Sequence, residues 1–342
     1  MSRFTRTTLL VALALGALLV WLSLRSLSLN PGPLAGAVDR LSNFTTIFLG
    51  IFIEAAPFLL LGTLASGLVE AFLNQDDIAR FVPRDPVRGV LVGGLLGFVF
   101  PVCECGVVPL VRRLFKKGLP LPVGITFLLA APVFNPIVIA STLAAFGFGR
   151  VLLLRVGLTL LIAMSTGLVF AAQRRPERLM RAATLPSFAG ASGLPAAAPA
   201  FARPSLRQGL ARALQVAGDE FFEMGRYLVA GALLATLMQI AIPQSALLTV
   251  SAGPVLSVLT LIVLAVVLSV CSTVDAFIAL AFAGTFTTGS ILAFLVFGPM
   301  VDIKSTLMFL GVFRRRTVAY LILLPLMMTI LATVLINLNT AW

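Results

Sequence analysis

Long apolar segments separated by short polar ones make up most of the chain. The apolar runs cover residues 9–24, 44–73, 89–111, 119–146, 151–172, 220–242, 255–283, 289–312 and 317–338. A helix needs about 20 consecutive apolar residues to span a bilayer. The pattern therefore predicts an all-α polytopic membrane protein. Several runs contain Pro and Gly clusters, which interrupt helices, and we expect these to be broken or re-entrant.

The first apolar run, residues 9–24, follows Arg3 and Arg6 and has two interpretations. A short apolar core behind positive charge is the pattern of a signal peptide. No small-x-small cleavage site follows and further spans come later, so we favour an uncleaved helix with its N-terminus inside. The predicted organisation is then an N-terminal helix and loop (1–43), a first transmembrane repeat (44–172), a linker (173–212) and a second transmembrane repeat (213–342).

Residues 173–212 differ in composition from the rest of the chain. They contain seven arginines and the Pro/Ala-rich run LPAAAPAFARP. Such a composition is typical of a flexible linker. We interpret the segment as a cytoplasmic connector.

The two halves carry the same landmarks in the same order. The matched pairs are Glu54 and Glu223, Cys103 and Cys271, Phe127 and Phe294, and Pro132 and Pro299. Their offset stays between 167 and 169 residues. This spacing predicts an internal repeat. The alternative is that hydrophobic segments align with one another only because all of them are hydrophobic.

Basic residues indicate how the halves are oriented. Lys and Arg mark cytoplasmic loops, and the basic segments here are the N-terminus, 74–88, 112–117, the linker and 314–316. For both 74–88 and the loop 112–117 to lie inside, residues 90–111 must enter the membrane and return as a hairpin.

The second half would repeat this arrangement from the opposite face, with residues 271–275 at its hairpin tip. The sequence therefore predicts two inverted repeats, a plan of many secondary transporters. If every apolar run crossed instead, the chain would have nine spans and parallel halves.

Composition excludes several classes of protein. Of 342 residues, 59% are hydrophobic and 11% charged, and the formal charge is +12. Because the basic residues lie between apolar spans, we expect contact with membrane lipids and none with nucleic acid. The sequence has no histidine, which excludes imidazole ligands and a His general base. It also has no G-x-x-x-x-G-K-[ST] loop for a nucleotide, so we predict no enzyme activity and no cofactor.

The three cysteines, Cys103, Cys105 and Cys271, all fall in apolar runs, unlike those of a secreted disulfide framework. Thiolates bind soft species such as Cu(I), Zn or trivalent arsenic. The C-x-C pattern around Glu104 supports such a role, and inert packing of buried cysteines remains an equal alternative. The spacing does not supply the four ligands of a structural zinc site, so we predict no resident metal.

Ionisable groups inside apolar segments are functional-site hypotheses. Glu104, Asp275 and Asp302 are such groups, and a desolvated carboxyl group suits proton coupling. The alternative is that they neutralise nearby cations, such as Lys304, for structural reasons. The predicted substrate-binding residues are Cys103, Glu104, Cys105, Asn135, Cys271 and Asp275, and the predicted coupling residues are Asp302 and Lys304.

Four motifs resemble those of the predicted-permease family that includes the organoarsenical efflux permease ArsP and YraQ-type proteins. They are PVCECGVVPL (101–110), FLLAAPVFNPIVI (127–139), VCSTVDAFIA (270–279) and FLVFGPMVDIKSTLM (294–308). The likeness covers about 44–340. It implies a multi-pass permease of the bacterial inner membrane, with efflux of trivalent organoarsenicals as the characterised activity. By matching position it implies substrate contacts at Cys103 and Cys105.

The leading hypothesis is therefore a secondary transporter that exports a small thiophilic solute, with proton exchange as a candidate driving force. A first alternative is a channel-like or thiol-redox membrane protein. A second is a non-transporting subunit of a membrane complex, with the arginine-rich linker as its docking surface.

Overall fold

The computed structural model describes residues 35–74, 77–78, 80, 82–83, 85–100, 102–173, 180, 205–241 and 253–339. The predicted N-terminal helix at 9–24 and most of the predicted linker lie outside these residues. In the first half the helices are α1 (Ala35–Phe72), α2 (Pro86–Val99), α3 (Glu104–Lys116), α4 (Leu121–Ala130), α5 (Pro136–Phe146) and α6 (Arg150–Ala171). In the second they are α7 (Leu206–Ala241), α8 (Leu256–Leu268), α9 (Asp275–Phe282), α10 (Thr288–Met300), α11 (Ile303–Val312) and α12 (Arg315–Asn339).

The described residues confirm an all-α polytopic membrane protein. Five helical stretches are long and apolar enough to cross a membrane: 41–72, 150–171, 206–241, 288–312 and 315–339. The fourth of these joins α10 and α11 across a break. The corresponding segment of the first half, α4 and α5, is broken in the same way, by the turn at 131–135.

Helices α2 and α3 form a hairpin that enters and leaves on one side. Gly89 of α2 faces Val123 of α4, and Gly97, two turns later, faces Ala131 just after α4. Helices α2 and α4 therefore run side by side in the same direction. Since α3 connects the end of one to the start of the other, it runs back in the opposite direction. Cys103, which precedes α3, lies at the tip.

Helices α8 and α9 repeat this hairpin in the second half. The side chain of Asn337, near the end of α12, accepts a hydrogen bond from Gly289 N and donates one to Pro254 O. The starts of α8 and α10 therefore lie together at the end of α12. Gly298 of α10 faces Ala265 of α8, so these two helices run in the same direction. Helix α9 connects the end of α8 to the start of α10 and therefore runs in the opposite direction.

The two hairpins enter from opposite faces. Phe313, just before α12, packs on Phe115 near the end of α3, with ring centroids 6.0 Å apart. The start of α12 therefore lies on the face where the first hairpin enters, and its far end, 25 residues on, lies on the other face. The predicted inverted repeats are confirmed by this geometry.

Helices α1 and α7 pack against each other along an antiparallel seam. Phe72 packs over Gly209, and Gly67 lies against the backbone of Ala213. Because these helices are the first of each repeat, the seam ties the repeats together. Helix α7 begins at Leu206, inside the segment 173–212 that was expected to be a linker.

One expectation from charge was wrong. Residues 112–117 were expected to be a basic loop, but 112–116 belong to α3. Arg112 is buried and its Nη1 lies 2.8 Å from Glu223 Oε2. The basic residues can be helical here because acidic groups on neighbouring helices compensate their charge.

Candidate functional site

The tips of the two hairpins meet inside the protein. Cys103 is the N-cap of α3 in extended conformation, and Cys271 lies in the break between α8 and α9. The two sulfur atoms and a carboxylate oxygen of Glu104 all lie within 4.8 Å of one another. All three residues are buried. Residues that are 168 positions apart in the chain thus form one cluster of side chains.

The third cysteine belongs to the same cluster. The thiol of Cys103 lies close to those of both Cys105 and Cys271, and all three cysteines are free. Two thiols beside a carboxylate could hold a soft ion or a trivalent metalloid. The structure therefore brings together the three predicted cysteines and Glu104. Their role in binding stays a prediction.

A buried lysine links this cluster to Asp302. Lys304 Nζ lies 3.7 Å from Glu104 Oε1 and 3.5 Å from Asp302 Oδ2. Lys304 can approach α7 closely because Gly231 has no side chain there, and a Cβ at that position would meet the Lys304 Cα at 2.8 Å. Both predicted coupling residues are therefore next to the thiol cluster.

Negative groups outnumber positive ones around Lys304. Glu54 of α1, which is half-buried, lies close to the Cys271 backbone and to Lys304. Among the described residues, Glu54 Oε1, Glu104 Oε2 and Asp302 Oδ2 are buried without a hydrogen-bond partner. Buried polar atoms without a partner are rare, and a bound proton or a ligand would satisfy them. The arrangement can accept a proton, a cation or a hydrogen-bond donor.

Asn135 and Asp302 occupy equivalent positions in the two repeats. Each is the N-cap of the second half of a broken span, α5 or α11. Asn135 Oδ1 accepts from Val138 N, and its Nδ2 donates to Ala131 O. Its amide therefore stabilises the helix break and has local backbone partners, whereas Asp302 also faces Lys304.

Asp275 forms an ion pair with an arginine that lies outside the thiol cluster. Its Oδ2 lies 2.6 Å from Arg155 Nη2 of α6, and Arg155 Nη1 donates to Thr142. This pairing could not be predicted from the sequence, because Arg155 and Asp275 lie in different repeats.

A second charged cluster lies at the end of α3 where the hairpin leaves the membrane. Arg113 Nη1 lies 3.5 Å from Glu70 Oε2, and Lys117 Nζ lies 3.6 Å from the same atom. Glu220 accepts a hydrogen bond from Ser66 and pairs with Arg113. These contacts hold α3 to α1 and α7 at the basic face. Since each group has a partner, they are better explained as structural.

Comparison with known proteins identifies the family. Residues 40–338 match the family model described as "Predicted permease", which carries the ArsP name. This chain belongs to that predicted-permease family. The match covers both repeats and the four motifs, and it makes the chain a member of a membrane permease family.

Two relatives are similar over most of their length. The UPF0718 protein YcgR of Bacillus subtilis (strain 168) is 43% identical over 278 residues, 81% of this chain and 91% of that protein. A protein of Streptococcus mutans, named a putative two-component membrane permease complex subunit, is 36% identical over 271 residues, 79% of this chain and 87% of that one. No solved structure matches the chain.

Proposed function

We propose that this protein is a secondary transporter that exports a small thiophilic solute, such as a trivalent organoarsenical, across the bacterial inner membrane. The observation that carries the proposal is the convergence of Cys103, Cys271 and Glu104, from two hairpins of opposite orientation, at one buried point. Family membership supports a permease, and the thiols support a soft substrate.

The cluster suits reversible binding of a trivalent metalloid. A thiol of Cys103 or Cys271 displaces a hydroxyl group from the metalloid, so that a sulfur–metalloid bond forms and an oxygen–metalloid bond breaks. Glu104 takes the thiol proton and returns it to the leaving hydroxide, which departs as water. The step needs no oxidant. Hydrolysis of the sulfur–metalloid bond reverses it and releases the substrate.

Inverted repeats provide a route for alternating access. Each hairpin shields the site from the face by which it enters, so movement of one hairpin exposes the site to one side only. Asp302 and Lys304 would couple this movement to protons, because a proton on Asp302 or Glu104 would remove an attraction that holds Lys304 in place.

Flux into everted membrane vesicles tests the proposal. Vesicles containing the wild-type protein should accumulate methylarsenite, and Cys103→Ser or Cys271→Ser should reduce the initial rate at least about tenfold. Gly50→Ala is the matched control, because Gly50 of α1 has no neighbour within 4 Å of an added Cβ. Rates equal in wild type and both cysteine variants would contradict the site assignment. Flux that persists after the pH gradient is collapsed would favour the channel-like alternative.

A second candidate function is that of a subunit in a membrane permease complex. The observation in its favour is the name of the Streptococcus mutans relative. Affinity purification from the native host under mild detergent would test it. A stoichiometric second membrane protein, without which vesicle flux is lost, would support the complex; full flux from the purified chain alone would exclude it.

A further inference from the structure

Each hairpin tip carries a buried carboxylate that pairs with a cation from the opposite repeat. At the first tip, an oxygen of Glu104 lies 3.7 Å from Nζ of Lys304, which belongs to the second repeat. At the second tip, an oxygen of Asp275 lies 2.6 Å from Nη2 of Arg155, which belongs to the first repeat. All four side chains are at most 3% exposed. The two tips that meet at the thiol cluster are therefore held crosswise, each by the other repeat.

A backbone hydrogen bond connects the second of these pairs directly to a cysteine. The N–H of Asp275 donates to the carbonyl oxygen of Cys271 at 3.1 Å. Cys271 itself lies in the break between α8 and α9. That break starts at Ser269, whose φ of 47° is in the left-handed region that residues other than glycine rarely adopt. The backbone at Cys271 therefore depends on contacts from outside the break, and the ion pair of Asp275 supplies one of them.

Arg155 joins this tip to the helix break of the first repeat. Its Nη1 donates to Thr142 Oγ1 at 2.7 Å, while its Nη2 holds Asp275. The hydroxyl group of Thr142 donates to Val138 O at 2.7 Å, and Val138 N donates to Oδ1 of Asn135 at 3.0 Å. A chain of hydrogen bonds thus runs from the broken span of the first repeat to the tip of the second hairpin.

We propose that Arg155 is a positioning residue that sets the distance between the thiols of Cys103 and Cys271. A guanidinium group presents its donors in a rigid planar fork, so binding Thr142 and Asp275 together fixes where the second tip lies. The inference rests on the proposed function for its role in transport, because two thiols that share one ligand must approach it together. A pair that only stabilised the fold would leave the distance between the thiols unchanged when its charges were removed together.

The rate of disulfide formation reports this distance and needs no transport. In a Cys105→Ser background only Cys103 and Cys271 remain of the three cysteines. Loss of both free thiols under copper phenanthroline would be followed by alkylation and mass spectrometry. We expect Arg155→Met/Asp275→Leu, which leaves no unpaired charge, to keep most of the thermal stability of the wild type. It should nevertheless form the disulfide about tenfold more slowly, because reactions between positioned groups slow steeply with small displacements.

A conservative variant separates the charge of Arg155 from its geometry. Arg155→Lys keeps a positive charge beside Asp275, but its single nitrogen cannot reproduce the fork that also binds Thr142. Its stability should stay near that of the wild type, and its oxidation rate should lie between those of the wild type and the double variant. It also provides the test if the double variant does not fold.

The matched control removes an ion pair between helices at a distance from the tips. Arg112 Nη1, near the other end of α3, lies 2.8 Å from Glu223 Oε2 of α7. Arg112→Met/Glu223→Leu in the same background should keep the wild-type rate of disulfide formation. Equal slowing in this control and in the Arg155 variants would show a general loosening of the fold and would overturn the positioning role.

The remaining outcomes distinguish this inference from the proposed function. Wild-type oxidation rates in both Arg155 variants would overturn the positioning role. Slow oxidation together with a raised KM and an unchanged maximal rate of methylarsenite flux would support both. Slow oxidation in the Arg155 variants with no flux in the wild type would support the positioning role and overturn the proposed function.

Discussion

The guanidinium group of Arg155 lies 2.6 Å from the carboxylate of Asp275, and both side chains are buried. Arg155 belongs to α6 of the first repeat, and Asp275 begins α9 in the second hairpin. The ion pair therefore fastens the tip of one repeat to the body of the other. Asp275 was predicted to bind substrate with the cysteines, and that role stays a prediction; the structure shows its carboxylate paired with Arg155.

Removing one partner of this pair should destabilise the protein. Arg155→Met or Asp275→Leu would leave an uncompensated buried charge, which costs about 3–5 kcal/mol. The double variant Arg155→Met/Asp275→Leu should recover most of that loss, because it leaves no charge behind. Thermal unfolding of the purified protein in detergent measures the effect. Single variants as stable as the wild type would show that the pair does not anchor the hairpin.

Oxidation should link the two hairpin tips covalently. With a protease site inserted between residues 185 and 195, the cleaved halves should remain joined after treatment with copper phenanthroline and separate on reduction. Cys103→Ser should remove most of the linked product, and Cys105→Ser should retain it, because the sulfur atoms of Cys103 and Cys271 lie within 4.8 Å of each other. If the oxidised wild-type halves separate without reduction, the tips are too far apart to form a disulfide.

Accessibility of equivalent positions tests the inversion of the repeats. Asp85 and Val255 are the N-caps of α2 and α8, which start the two hairpins. In a cysteine-free background, Asp85→Cys and Val255→Cys should react with an impermeant maleimide from opposite faces of the membrane. Thr285→Cys, in the exposed turn before α10, should be labelled from the same face as Val255→Cys. Labelling of Asp85→Cys and Val255→Cys from one face would indicate parallel halves.

Close packing of α1 on α3 depends on a pair of glycines. A Cβ at Gly62 would overlap the backbone of Gly106, so the helices cannot both stay in place when a methyl group is added. Gly62→Ala should therefore lower the unfolding free energy by about 1–3 kcal/mol. Gly50→Ala on the same helix meets nothing within 4 Å and should stabilise by about 0.5–1 kcal/mol through helix propensity. Equal denaturation midpoints for the two variants would be inconsistent with this helix contact.

The architecture and the centre of the candidate site could be predicted from the amino-acid sequence. Apolar runs interrupted by proline and glycine predict broken helices, because the breaks follow from local backbone chemistry. The constant offset between the halves and the placement of basic segments then predict two inverted repeats. That inversion brings Cys103 and Cys271 together, so the thiol cluster could be expected without coordinates.

The partners of the charged residues, in contrast, depend on how the helices pack in three dimensions. The pairing of Arg155 with Asp275 and the burial of Arg112 against Glu223 both join helices that are distant in the chain. The faces that meet across such helices depend on their rotation and crossing angle. In an apolar membrane segment every face is hydrophobic, so periodicity does not reveal them.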